Sequence, residues 1–225
     1  MLNSKVGLTG LLGLVFAANL VETAAEDWIG PWRRFGAEYR ALAANAVHWF
    51  EREFIFEFHD VTNDVAVFGY AISYFFLFPI LGLAVAAVLA WRSDIAPYKV
   101  LSLAVAIDYL VSLPFFLFFP VPERWAYPES GAMLLADRLS PQLIEWIRPV
   151  SGLDNCFPST HVSLTVILIL VCYLFQVRLR ACVLWLGLTV VLSTFVLGIH
   201  WMADMTAGLA AGTLSVLAAR RVVAG

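Results

Sequence analysis

What most limits the fold of this chain is a series of apolar runs, each close to the length that crosses a bilayer. A span needs about 20 mostly apolar residues, with a range of roughly 17–25. Six runs approach it: Val6–Val21, Val65–Leu89, Val100–Phe119, Val162–Val177, Ala181–Leu197 and Met202–Ala219. The last three are short and closely spaced, so the turns between them must be tight. Of the 225 residues, 61% are hydrophobic, and the mean hydropathy is +0.83. An average soluble domain is about half apolar, so the excess must face lipid. Backbone groups in lipid have to be satisfied internally, which selects helices. The expected fold is all-α and integral to the membrane. It is a six-transmembrane-helix bundle forming a single membrane domain over 1–225, with spans at about 6–21, 65–89, 100–119, 162–177, 181–197 and 202–219.

The first run has a second reading. Lys5, the apolar stretch and Thr23-Ala24-Ala25 also resemble a secretory signal with its cleavage site. Gly10 and Gly13 interrupt the run, and small residues suit helix packing in lipid. Either reading sends the following loop across the membrane. Basic residues favour the cytoplasmic side. In a six-span arrangement Lys5, Arg92, Lys99, Arg178, Arg180, Arg220 and Arg221 share one side with Asp94 as its only acid, whereas Glu22, Glu26, Asp27, Glu51, Glu53, Glu57, Asp60, Glu123 and Glu129 fall on the other. The termini are therefore expected in the cytoplasm, at the plasma membrane or its equivalent, and the long connections outside it.

Those connections, about 26–64 and 120–158, are expected to be extracytoplasmic interfacial segments. Apolar residues recur at three- and four-residue steps from Phe35 to Phe50, the pattern of an amphipathic helix lying in the interface. Five prolines between Pro120 and Pro149 rule out one continuous helix in the second connection, although Leu134–Ile147 could form a short one. The three cysteines, Cys156, Cys172 and Cys182, are odd in number and imply no disulfide framework; they read as small apolar fillers. A net charge of −3 gives no reason to expect nucleic acid.

Two constellations carry chemistry. In Phe157-Pro158-Ser159-Thr160-His161, a proline and a capping serine open the fourth span. A helix N-terminus offers N–H groups and a positive dipole end to an anion such as phosphate, and a histidine there can protonate a leaving group. The second runs from Ser193 to Asp204. His200 and Asp204, four residues apart, would share a helix face. The carboxylate would then fix the ring's tautomer and leave its other nitrogen free to attack. Spans four and six begin on the same side, so the two histidines can converge.

The order Pro-Ser-x-His, then Ser-x6-His-x3-Asp, resembles the second and third signature motifs of the type 2 phosphatidic acid phosphatase superfamily, six-helix membrane enzymes acting on lipid phosphates. The stretch Asn155-Cys156-Phe157-Pro158-Ser159-Thr160-His161-Val162 is most similar to the branch containing inositol phosphorylceramide synthase. So are Ser193-Thr194, His200 and Asp204 to Gly208, the stretch from Asn45 to Glu57, and Phe119 to Arg124. The resemblance implies that His200 is the nucleophile of a phosphohistidine, that Asp204 orients it, and that His161 protonates the leaving oxygen. It implies that Ser159 and Thr160 with nearby N–H groups hold phosphate oxygens, with Ser193 also on the substrate side. Thr194 stands where the phosphatase branch has an arginine, and Pro141 where it has a lysine, so the phosphate clamp must use other cations: Arg124 first, Arg148 second, with Arg138 a further candidate.

Asp108, alone in mid-span, fits either substrate binding or helix packing. Tyr70, Ser73 and Tyr74 could bond across the bundle or touch a headgroup. Gly208 and Gly212 read as close helix packing, and His48 and His59 as structural. The expected partners are a lipid phosphate or phospholipid, the bilayer, and an acceptor that is water or an alcohol such as a polyol. No metal or other cofactor is expected. Two other classes compete: a His/Asp metalloenzyme, and a non-enzymatic lipid transporter or scaffold for which Asp108 speaks.

Overall fold

The computed structural model describes residues 3–28, 37–51, 63–138, 142 and 154–225. Among these, the helices are α1 (Lys5–Trp28), α2 (Ala37–Glu51), α3 (Asp64–Trp91), α4 (Ala96–Phe118), α5 (Thr160–Leu174), α6 (Arg180–Val196) and α7 (Met202–Ala224). The described residues contain no strand; one isolated parallel bridge joins Val121 to Asn155. Helices α3, α4 and α7, and α1 over Lys5–Ala25, are long and apolar enough to cross a membrane, and α5 and α6 are shorter apolar helices of 15 and 17 residues. Their outward faces carry Leu14, Ile80, Leu83, Leu110, Trp185 and Leu214 well exposed. Bare apolar surface of that extent suits a lipid solvent and not water.

Polar contacts sort the helix ends into two groups. Lys5 Nζ donates to the Arg92 carbonyl at 2.7 Å and Lys99 Nζ to Asn3 Oδ1 at 2.8 Å, which ties the start of α1 to the α3–α4 turn. Around that end, Leu8, Leu89, Tyr98, Cys172, Val177, Val183, Val216 and Ala219 belong to one buried cluster. Asn155 Nδ2 donates to both oxygens of Glu22 at 3.2 Å, which ties the far end of α1 to the loop before α5. The basic residues Lys5, Arg92 and Lys99 thus gather at one end, and the motif histidines lie at the other.

Helices α5 and α7 run side by side from that second end. A Cβ built on Gly208 would stand 2.5 Å from the Ser159 carbonyl oxygen, and one on Gly212 2.4 Å from that of Ser163. Only hydrogen fits at either position, so the two glycines let the backbones touch, as in other small-residue interfaces in lipid. The packing reading of this pair holds. Above the helix ends, backbone bonds clamp the loop before α7: Trp125 N–H donates to the Gly198 carbonyl (3.0 Å), Arg124 N–H to Ile199 (2.9 Å) and Leu135 N–H to Leu197 (3.2 Å). Gly198 itself has φ +76, and a Cβ there would meet the Met133 carbonyl oxygen at 2.4 Å.

The expected helix over Leu134–Ile147 is not what its first residues form. Leu135–Arg138 is a short 3-10 segment, closed by the Asp137 N–H donating to the Leu134 carbonyl three residues back at 3.3 Å. Apart from Gln142, residues 139–147 lie outside the described residues.

Candidate active site

His161 and His200 arrive at one place by different routes. Ser159 caps α5 by accepting from the Val162 N–H (3.4 Å), and its own N–H donates to the Asp204 carbonyl (3.1 Å). That leaves Thr160 and His161 in the helix's first turn, where N–H groups have no intrahelical acceptor. His200 precedes α7, and its N–H donates to the Thr194 carbonyl (3.0 Å). The imidazole centroids lie 5.8 Å apart, and both rings line a cavity of about 350 Å³.

The His200–Asp204 pair forms, but not on a shared helical face. His200 lies outside α7, which begins at Met202. Asp204, in the helix's first turn, reaches back: its Oδ2 accepts from the Trp201 N–H at 3.0 Å and lies 3.4 Å from His200 Nδ1. The four-residue spacing works here because an acid in the first turn caps the helix and meets the residue just before it. Trp201, wholly buried, is pinned through Nε1 to the Pro122 carbonyl at 2.9 Å, so the chain entering the helix is held from both sides.

Helix α4 contributes Asp108. One carboxylate oxygen accepts from Ser163 Oγ at 2.6 Å; the other is buried without a hydrogen-bond partner. Asp108 lines the same cavity as the histidines, together with Thr160, Asn155, Glu123, Tyr109, Asn19 and Thr23. Among the described residues no lysine or arginine lines it. The first turn of α5 opens onto it through Thr160 and His161, and the positive end of a helix dipole there favours an anion.

The other expected substrate-side residues lie elsewhere. Ser193 is wholly buried, donates to the Val190 carbonyl (2.6 Å) and does not line the cavity. Arg124 also stays outside its lining, buried with its guanidinium 5.0 Å from the Phe195 ring centre. Arg138 is partly exposed beside Asp64 at 3.5 Å. Arg148 lies outside the described residues, as does His59. His48 packs edge-on against Trp201, with centroids 6.1 Å apart.

Three residues stand in contacts that the sequence did not assign to them. Tyr74 stacks on His161, with centroids 4.2 Å apart and planes 20° from parallel, and Phe78 lies 4.5 Å away on the same ring. Both positions are set by a π-helical stretch, Ser73–Leu77, inside α3. Such stretches are frequent at functional sites, but no residue pattern announces this one. Ser73, by contrast, donates to the Gly69 carbonyl of its own helix at 2.9 Å. Cys156 is the second. It is buried in an apolar cluster with Val121 and Trp201, as a filler would be, and it also brings its sulfur to ligand atoms of His200 and Asp204, all within 4.8 Å of one another. Only its place just ahead of the Pro-Ser-x-His motif hinted at this.

Glu51 is the third. It ends α2, is almost wholly buried, and accepts from the Met202 N–H at the start of α7. Burial raises its carboxyl from 4.5 to about 7, while the Met202 N–H and the Arg124 charge hold it down and Asp204 pushes it further up. Burial likewise pulls the Arg124 guanidinium below its usual value, opposed by Glu51. A carboxyl with its folded pKa raised favours the folded state most below pH 4.5, and loses that contribution as pH rises through about 7. The difference is on the order of 3 kcal/mol. Melting curves of detergent-solubilised protein from pH 5 to 8 should therefore fall more steeply in wild type than in Glu51→Gln. Parallel curves would remove Glu51 from this role.

Residues 98–225, more than half of the chain, match the family model described as the PAP2 superfamily. The chain belongs to the PAP2 superfamily. No curated protein and no solved structure matches it. The PAP2 superfamily is a membrane family acting on lipid phosphates, and membership supports phosphatase-type activity. The PAP2 match takes in His161, His200, Asp204, Asp108 and Cys156. It leaves out Asn19, Thr23 and Tyr74, so α1 and α3 line the cavity from beyond the PAP2 match, while α2 reaches the start of α7 through Glu51.

Proposed function

We propose that this protein transfers the phosphoryl group of a lipid phosphate or phosphodiester through a covalent phosphohistidine on His200. The observation that carries the reading is the meeting of His161 and His200 at one cavity, with Asp204 against His200 Nδ1, inside a PAP2 match. With Nδ1 facing the carboxylate, Nε2 is the attacking atom. It bonds to phosphorus as the phosphorus–oxygen bond to the leaving group breaks, and His161 gives its proton to that oxygen. In the second half, His161 takes a proton from the acceptor hydroxyl, the acceptor oxygen bonds to phosphorus, and the phosphorus–nitrogen bond breaks. Phosphoryl transfer asks a protein mainly for positioning and charge stabilisation. The Thr160 and His161 N–H groups at the head of α5, with Ser159 as its cap, are suited to the phosphate oxygens. Arg124, its backbone fastened to Ile199, and Arg148 are the cations proposed to complete the clamp, with Ser193 holding its helix next to Thr194.

The protein is further read as a single domain of six spans, α5 and α6 crossing as short spans beside the four longer helices. Its basic end faces the cytoplasm and its histidines the extracytoplasmic leaflet. Support comes from Lys5, Arg92 and Lys99 gathering opposite the histidines. For the acceptor, similarity of Asn155–Val162 to the inositol phosphorylceramide synthase branch favours an alcohol, which makes the protein a phosphotransferase; with water it is a lipid phosphatase. The test is phosphate release from a panel of lipid phosphates and phosphodiesters by purified protein in chelator, with and without polyols. Turnover that a polyol diverts into a new phosphodiester supports transfer. Free phosphate alone supports hydrolysis, and no turnover of any donor refutes the reading.

A further inference from the structure

We propose that Cys156, His200 and Asp204 form a binding site for a thiophilic divalent cation such as zinc, and that its occupation silences phosphoryl transfer. The binding half stands on geometry alone; the silencing half rests on the function proposed above. The ligand atoms, one sulfur, one imidazole nitrogen and one carboxylate oxygen, lie within 4.8 Å of one another, and all three residues are buried. Zinc bonds of about 2.0–2.3 Å in a tetrahedron need ligand atoms roughly 3.5 Å apart. His200 Nδ1 and Asp204 Oδ2 already stand 3.4 Å apart, so the sulfur has about an ångström to travel.

Two further features point to a ligand. Asp204 is wholly buried, yet its Oδ1 has no hydrogen-bond partner. Such an atom carries an uncompensated desolvation cost, which a positive charge held by the same carboxylate would offset. Cys156 and His200 also line the cavity, which gives an ion an entry path and leaves the fourth coordination position open to water. The sulfur's place is not accidental: the Cys156 N–H donates to the Val121 carbonyl at 3.2 Å, and the thiol leans on the Ile199 carbonyl at 3.8 Å.

The donor set decides which cation. A thiolate with an imidazole suits zinc or cadmium, whereas magnesium and calcium want oxygen. Binding releases the thiol proton to solvent. Once bound, the cation draws on the His200 ring and on the carboxylate that orients it, the two groups the nucleophile needs. Occupation therefore inhibits, and Cys156 sets the affinity without taking part in the transfer.

The experiment titrates zinc chloride into chelator-stripped, detergent-purified protein by calorimetry, for wild type, Cys156→Ser, Cys156→Ala and His200→Asn. Phosphate release is followed in parallel for wild type and the two Cys156 variants, each normalised to its own metal-free rate. The expected result is one zinc per chain in wild type and at least tenfold weaker binding in all three variants. Inhibition should need at least tenfold more zinc in the Cys156 variants, and magnesium should do neither. Equal zinc binding in wild type and in whichever Cys156 variant folds would overturn the site, as would no binding at all. Zinc that raises the stripped enzyme's rate would overturn the inhibitory role. If no lipid phosphate is turned over, the proposed function fails, and calorimetry still decides the site.

Discussion

His200→Asn is expected to lower turnover of any lipid phosphate by about 10⁴-fold or more, the scale of losing a covalent nucleophile, with little change in folding. The backbone bond from His200 N–H to the Thr194 carbonyl does not involve the side chain. Nor does the contact from Trp201 N–H to Asp204, so the loop keeps its shape. Asparagine presents an amide nitrogen with no lone pair to offer phosphorus. The melting temperature should stay close to that of wild type while activity disappears. A variant that retains a tenth of the rate would show that His200 only binds. His161→Asn offers a useful contrast. It removes the proton donor and leaves the nucleophile, so substrates with good leaving groups should be spared relative to lipid phosphates with poor ones.

Gly208→Val is expected to damage the fold and the site together. Its Cβ would fall 2.5 Å from the Ser159 carbonyl oxygen and 3.1 Å from Val162 Cβ. The first neighbour is backbone at the cap of α5 and cannot rotate away. Relief requires α5 and α7 to separate, which carries the His161 ring away from His200. Overpacking of this kind costs about 1–3 kcal/mol or more, and misplacing a reacting group by an ångström costs about 10²-fold in rate. We expect a lower melting temperature and at least a hundredfold loss of turnover. Gly69→Ala, where nothing lies within 4 Å of the added carbon, should change neither. A fully active Gly208→Val would mean that the close crossing does not set the site.

The parts of this protein that were legible in its sequence are those fixed by short-range rules. Apolar length announced helices. A proline and a serine before an apolar run announced where α5 begins, and the structure places Ser159 at that cap. Gly208 and Gly212, one helical turn apart, announced a close crossing. The His200–Asp204 contact was legible from spacing, although its geometry was not: whether a residue lies inside or just before a helix is decided at the cap, within one or two positions. Contributions that depend on distant chain meeting distant chain were not legible. Glu51 meets the Met202 N–H across 151 residues, and Asn155 meets Glu22 across 133. Tyr74 reaches His161 because of a π turn that no local preference marks. Cys156 packs in an apolar cluster as its type suggests, but its nearness to His200 and Asp204 depends on surroundings that its type does not announce.

The most direct test of the central claim is capture of the covalent intermediate. Purified protein mixed with a lipid phosphate labelled at phosphorus, quenched in alkaline detergent and digested, should yield a phosphopeptide carrying the label on His200. The account predicts a bond stable to alkali and lost in mild acid, as for a phosphoramidate, and none in His200→Asn. Label on another residue, an alkali-labile bond on Asp204, or steady product formation with no label at any time would contradict it.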